Sequence, residues 1–172
     1  MVSLTKREVF KLNKNLKMPK VLNDIADVIV KDIKEGISTL SEDINGKGFK
    51  QLSKNTIASK RHHGAKYPSK PLYNEGKMKE VYVSKRAGQY ALISTNKDRA
   101  VASSVHQEGT RPYTILPKKK KVLSYITRNG RAFSKKINHP GHPQREWFGV
   151  SKRTVKPIDT VVKEHIRKAL KK

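Results

Sequence analysis

The stretch "VLNDIADVIVKDIKEGISTLSEDING", residues 21–46, decides how this chain begins to fold. Its apolar residues recur at spacings of three and four, which places them on one face of a helix. They are Val21, Ile25, Val28, Ile29, Ile33, Ile37, Leu40 and Ile44. Gly36 disfavours a helix by about 1 kcal/mol relative to alanine, so a bend or break is predicted there. The pattern therefore predicts a long amphipathic helix that ends at the turn-forming pair Asn45-Gly46.

Further along the chain the apolar period changes from that of a helix to that of a strand. A shorter helix is predicted at Lys50–Arg61, and the Pro- and Gly-containing stretch His62–Gly76 is predicted to be a loop. "MKEVYVSK" (78–85) and "GQYALIST" (88–95) then alternate apolar with polar residues and predict two strands. "RAVASSVHQ" (99–107) is predicted to be a third strand.

The last third of the chain predicts a hairpin and a closing helix. Pro112–Leu116 is a short extended piece, and "VLSYITRNGRAFSKKI" (122–137) has the hairpin signal Asn129-Gly130 at its tip. A final apolar stripe at helical spacing comprises Val155, Ile158, Val161, Val162, His165, Ile166, Ala169 and Leu170. The fold class is therefore α+β, with N-terminal helices, a mostly antiparallel β-sheet with a long basic hairpin, and a C-terminal helix. We expect a basic arm at residues 1–18 and a single domain at 19–172.

Charge is the strongest compositional signal. The 172 residues include 39 Lys and Arg against 14 Asp and Glu, a net charge of +25. Such a protein attracts polyanions or acidic proteins, and nucleic acid is the default partner. There is no cysteine, which excludes disulfides and cysteine-zinc sites. We find no signal peptide and no apolar run long enough for a membrane span, so the protein is expected to be made in the cytosol without a membrane partner.

The histidines suggest metal binding, but their setting argues against it. His139-Pro-Gly-His142 is the best candidate pair, yet two prolines restrict this loop and no acidic residue lies within three positions of either histidine. A nuclease could combine His106 and Glu108 with Arg111 or Arg145. Nothing in the sequence fixes that geometry, and phosphate-binding or paired-carboxylate motifs are missing. The sequence therefore predicts no catalytic residue, no metal and no cofactor, while a basic nuclease stays an alternative.

Two features of the segment 105–149 point to binding. A basic run joins two extended pieces and continues into the hairpin, and it is predicted to contact DNA phosphates or an acidic partner. Its members are Lys118, Lys119, Lys120, Lys121, Arg128 and Arg131. Glu108, in "HQEGT", is expected to form an ion pair that fixes the turn and ties it to "HPQREWFG" through Arg145. Trp147 and Phe148 either fill the core beneath the last helix or anchor a neighbouring subunit.

The order of these segments resembles the phage virion morphogenesis proteins, the tail-completion and neck components of tailed phages. The resemblance lies in "YALIST", "VASSVHQEGTR", the basic flap "ILPKKKKVLSYITRNGRAFSKKI" and "HPGHPQREWFGVS". Val105–Thr110 is similar to the family's His- or Glu-containing "hQ-x-G" or "E-x-G-T" element, which typically ends a strand. Pro143, Arg145, Phe148 and Gly149 are similar to its "P-x-R-x-F-x-G" element, with one extra residue after Arg145. The resemblance covers roughly residues 50–170.

Membership of this family implies a non-enzymatic virion protein of the neck, which completes the tail and joins it to the DNA-filled head. It implies a homo-oligomeric ring, six-fold in the simplest case. This ring contacts adjacent neck, portal-side or tail-tube proteins and makes nonspecific contact with packaged DNA. The residues expected at ring interfaces are His106, Glu108, Gly109, Arg111, His139, His142, Arg145, Trp147 and Phe148. A basic nucleic-acid-binding protein, ribosomal-like or DNA-compacting, is the alternative that the charge alone favours.

Overall fold

A computed structural model of the chain describes residue 12 and residues 14–171. The four main helices are α1 (Met18–Glu35), α2 (Lys54–His62), α3 (Ala100–Glu108) and α4 (Val155–Lys171). The strands are β1 (Val81–Arg86), β2 (Ala91–Thr95), β3 (Tyr113–Ile115), β4 (Leu123–Thr127), β5 (Gly130–Ser134) and β6 (Ile137–His139). Most of the predicted arm at 1–18, namely residues 1–11 and 13, lies outside the described residues. Met18, its last residue, already begins α1.

The predicted α+β class is confirmed. The strands form three antiparallel pairs, β1–β2, β3–β6 and β4–β5, instead of one continuous sheet. In the part of the chain that the structure describes, each strand thus has one neighbour and one unpaired edge.

The prediction of a third strand at Arg99–Gln107 is wrong, because these residues form helix α3. The Asn96 side chain accepts a hydrogen bond from the backbone N–H of Asp98 and starts a helical turn that leads into α3. Ala102, Val105 and His106, three to four residues apart, share the partly buried face. The apparent period of two depended on Val101 and Val105, whose spacing of four fits a helix equally well.

Helix α1 is confirmed, and the break predicted at Gly36 is a change to a π-helical turn at Gly36–Leu40. A Cβ atom on Gly36 would lie 3.0 Å from Nη2 of Arg153. The Arg153 guanidinium donates from Nε to Asp32 (2.9 Å) and from Nη1 to Glu42 (3.2 Å). The glycine therefore makes room for an arginine that joins α1, the loop after it and the start of α4.

The core lies between α1, the β1–β2 pair and the segment before α4. Its buried residues are Val30, Ile33, Ile37, Phe49, Leu72, Val81 and Trp147. Helix α4 packs along α1, where Nε2 of His165 lies 2.8 Å from Oδ2 of Asp24. Within the described residues, 12 and 14–171, no helix is both long and apolar enough to cross a bilayer.

The predicted hairpin is confirmed as β4 and β5. Its two turn residues are Arg128 and Asn129, and not Asn129 and Gly130 as predicted, because Gly130, with φ at 107°, pairs with Thr127 as the first residue of β5. The backbone N–H of Arg128 donates to Oδ1 of Asn55 (3.2 Å), so the tip of the hairpin lies against α2. Helix α2 and the irregular loop at 62–76 also agree with the sequence-based prediction, although α2 begins at Lys54.

Candidate functional site

The two segments that carry the family resemblance meet in space. The end of α3 and the next turn (106–110) pack against residues 139–149, and we call this contact the seam. The backbone N–H of Arg145 donates to the carbonyl of His106 (2.7 Å), and that of Thr110 donates to the carbonyl of His142 (2.9 Å). The backbone N–H of His142 donates in return to Oγ1 of Thr110 (2.8 Å). The seam is thus held by backbone groups from both segments.

Two glycines allow the segments to approach this closely. Gly109 has φ at 74°, and a Cβ atom there would lie 2.9 Å from the carbonyl oxygen of His142. Gly141 has φ at 84°, and its Cβ atom would lie 2.1 Å from the carbonyl oxygen of Thr110. A side chain at either position would combine an unfavourable backbone conformation with a clash against backbone atoms.

Gln107 is the residue of the seam that the sequence reasoning missed. Its Oε1 accepts hydrogen bonds from the backbone N–H groups of Trp147 (3.2 Å) and Phe148 (3.1 Å). Its Nε2 donates to the carbonyl of Phe148 (3.2 Å). The side chain thus binds the backbone of the 139–149 segment as a neighbouring strand would. The element "HQEGT" contains Gln107, but only the fold reveals which groups its amide contacts.

Arg145 is buried, and no carboxylate of the described residues pairs with it. Only 5% of its surface is exposed. Nη2 donates to the carbonyl of Lys50 (3.1 Å), and Nη1 lies 3.5 Å from the carbonyl oxygen of Pro143 and 3.4 Å from Nδ1 of His106. Nε is buried and has no hydrogen-bond partner among the described residues. The guanidinium charge is therefore surrounded by neutral acceptors.

The ion pair expected between Glu108 and Arg145 is not among those of residues 14–171. Glu108 is exposed at the end of α3, and its Oε1 lies 3.5 Å from Oγ of Ser104 in the preceding turn. The side chain points along its own helix, so Gln107 and the backbone make the link that was assigned to Glu108.

Three histidines and a tyrosine cluster on the outer side of the seam. Ring centroids lie 5.9 Å apart for His106 and His142, 4.7 Å for His139 and His142, and 4.8 Å for Tyr113 and His139. Burial lowers the pKa of His106 to about 4, and the nearby positive charges of Arg145 and His142 add to this shift. Burial also lowers the pKa of His142. In the described ranges, no group of His, Asp or Glu is arranged to hold a metal ion.

A cavity of about 640 Å³ opens beside the seam. It lies between α2, the loop at 72–78, α3 and residues 139–143. Its cationic and basic lining residues are Lys50, Lys60, Lys77, Arg99, His106, His139, His142 and Arg145. Its apolar lining residues include Leu52, Leu72, Met78 and Ala102. Nζ of Lys60 donates to the carbonyls of Lys70 and Tyr73 (both 2.7 Å), which fixes the loop that forms one wall.

The predicted site residues fall on two separate surfaces. His106, Gly109, His139, His142 and Arg145 come together at the seam. The members of the basic run are all exposed, on the loop before β4 and on the hairpin: Lys118, Lys119, Lys120, Lys121, Arg128 and Arg131.

The two aromatic residues after Arg145 differ in exposure. Trp147 is 3% exposed in the core, so of its two predicted roles the structure favours packing within the chain. Phe148 is partly buried beside it, and Arg111 is exposed. Of the predicted interface residues, the exposed and half-exposed ones are therefore those that can contact a neighbouring subunit.

Comparison with known proteins gives one family. The model of the phage virion morphogenesis family matches residues 7–167. The match contains both segments of the seam and extends the resemblance, predicted for residues 50–170, over the N-terminal helix. No curated protein and no solved structure matches the chain.

Gln107 is expected to contribute measurably to stability. Gln107→Ala leaves the backbone N–H groups of Trp147 and Phe148 without their acceptor, and the free energy of unfolding should fall by about 2 kcal/mol. Gln107→Glu keeps the acceptor but replaces the donor with a carboxylate oxygen that the carbonyl of Phe148 repels, so it should recover only part of the loss. Urea denaturation measures both, with Gln89→Ala in the exposed β1–β2 turn as the control. A Gln107→Ala protein as stable as the Gln89→Ala protein would contradict the role of the amide.

His106 is expected to make stability depend on pH. Because its folded pKa of about 4 lies below the ordinary 6.5, the unfolded chain takes up the proton first. The contribution of His106 to the free energy of unfolding should be complete above pH 6.5 and should decrease as the pH falls toward 4. The lowered pKa of His142 acts in the same direction. Thermal melting across this range should show a weaker dependence for His106→Asn. The exposed control His62→Asn should keep the full dependence, and equal slopes for all three proteins would refute the assignment.

Proposed function

The chain belongs to the phage virion morphogenesis family, and from this premise we propose that it is a structural component of the neck of a tailed phage. Its general role is in the structure or assembly of the virion. We propose that several copies, six in the simplest arrangement, form a ring that completes the tail and joins it to the head. The proposed role is one of binding and assembly and requires no catalysis.

The unpaired strand edges are the observation that carries this proposal. Each of the three strand pairs is only two strands wide in the described part of the chain. An unpaired edge offers backbone N–H and C=O groups to a strand of another chain. In a ring, head-to-tail contacts of this kind close by symmetry and leave no edge open.

The exposed surface supports assembly in the same way. Several large apolar side chains contribute to this surface, and some lie on or beside the hairpin. Leu116, Tyr125 and Phe133 are 61%, 37% and 63% exposed. Burial of this surface against a neighbouring subunit would supply a favourable apolar contribution to ring formation.

The seam and the hairpin take different roles in this proposal. At the seam, Glu108, Arg111, His139, His142 and Phe148 can reach a neighbouring subunit, while Gly109 and Arg145 fix the backbone beneath them. On the hairpin and the loop before it, the exposed cations of the basic run face packaged DNA or an acidic neighbour. These charge contacts of the basic run are nonspecific and weaken with salt.

Phage assembled without this protein tests the proposal. A stop codon early in its reading frame should yield DNA-filled heads and separate tails in electron micrographs, because the joint between them is missing. Wild-type protein supplied in trans should restore joined, infectious particles. Phe133→Asp should fail to restore them, since it places a charge in the proposed subunit contact.

The exposed control Gln89→Asp should restore infectivity as the wild type does. Purified Phe133→Asp should keep the wild-type melting temperature, which separates an assembly defect from misfolding. Joined and infectious particles formed without the protein would refute a role in the neck.

A further inference from the structure

The buried charge of Arg145 points to a partner that the isolated chain lacks. The side chain is 95% buried against carbonyl oxygens and one imidazole, and no carboxylate of the described residues pairs with it. A buried charge without a counter-ion is costly unless a partner supplies one. Arg145 also lines the 640 Å³ cavity, so an incoming group can approach it.

The cavity is short of acidic groups. Among the described residues, Glu75 is the one acid in its lining, and its carboxylate pairs with Lys77 (3.0 Å) and Arg99 (3.3 Å). Within the part of the chain that the structure describes, the hydrogen-bond acceptors of Lys60 Nζ are two carbonyl oxygens. Burial lowers the pKa of Lys60 and of Arg145, as expected where cationic groups lose water without gaining an anion. The surroundings therefore favour an added negative charge.

The walls of the cavity indicate which anion fits. Leu52, Leu72, Met78 and Ala102 give it an apolar lining, and its volume lies in the range of small-ligand sites. A carboxylate on a short aliphatic stem matches such a site, because the stem contacts the apolar walls while the carboxylate reaches the guanidinium. A phosphate of duplex DNA has no such stem, and the exposed cations of the hairpin suit it better.

We propose that the cavity binds a glutamate or aspartate side chain from an acidic segment of a different virion protein, which pairs with Arg145. The net charge of +25 opposes approach of a second copy of this chain and favours an acidic partner. The choice of a virion protein as donor rests on the proposed function. Binding of the carboxylate itself does not depend on that function and is measured on the isolated protein.

The test uses the full-length protein and two small probes that differ by one group. N-acetyl-glutamate methylamide carries the carboxylate, and N-acetyl-glutamine methylamide is its neutral analogue. The glutamate probe should shift the imidazole NMR signals of His106 and His142 with a Kd on the order of millimolar. It should also raise the pKa of His106 from about 4, because an anion enters beside it. The glutamine probe should bind at least tenfold more weakly.

Two variants keep the test valid if one fails to fold. Arg145→Gln should reduce binding of the glutamate probe at least tenfold. Ala102→Phe fills the cavity without removing a charge and should abolish binding. Val101→Phe, on the same helix but 80% exposed and outside the cavity lining, should bind as the wild type does.

Several outcomes would overturn the proposal. Equal binding of both probes would indicate a merely apolar cavity, and no binding of either would remove the site. Inorganic phosphate that binds as tightly as the glutamate probe, or duplex DNA that shifts the same histidine signals, would indicate a phosphate site instead. Each of these results would leave the trans-complementation outcome unchanged, so this inference and the proposed function fail separately.

Discussion

The backbone hydrogen bonds of the seam are the constraint on which the rest of this structure depends. They fix the end of α3 against residues 139–149, a segment about 35 residues further along the chain. The two segments can approach this closely because Gly109 and Gly141 lack side chains. Once the segments are joined, Gln107 holds the backbone of Trp147 and Phe148, and Trp147 enters the core beneath α1. The same geometry buries Arg145. The packing of the core and the burial of Arg145 in the candidate site therefore both follow from the hydrogen bonds of the seam.

Several acidic residues of this basic chain join separate elements. Asp32 and Glu42 bind Arg153 between α1 and α4, Asp24 lies against His165, and Glu75 pairs with Lys77 and Arg99. The basic run and the lining of the cavity each carry a local excess of positive charge. We propose anionic partners at both places, one at the exposed basic run and one in the recessed cavity.

Much of the fold could be predicted because its longest elements have strong periodicity. The apolar stripes of α1 and α4 extend over several turns, and Asn129-Gly130 specifies a hairpin locally. Helix α3 was mistaken for a strand because nine residues with two valines and two serines fit either period. The pairing of β3 with β6 could not be predicted, because these two strands lie far apart along the chain.

The candidate site was predictable in outline. The sequence motifs around Val105–Thr110 and Pro143–Gly149 identified the segments, and the structure brings them together. Individual roles within them were not predictable. Whether Glu108 or Gln107 makes the link depends on which side of a helix each occupies, and a misassigned strand places them on the wrong faces. The burial of Arg145 and Trp147 depends likewise on the three-dimensional path of the 139–149 segment.

The proposed place of this chain is a ring at the head–tail junction of the virion. Cryo-electron microscopy of intact phage particles, with the density of the neck resolved to the level of side chains, would locate it. Several symmetry-related copies of this fold should lie at the junction, with strand edges paired between neighbouring copies. Density for this chain elsewhere in the particle, or a neck built entirely from other proteins, would rule this placement out.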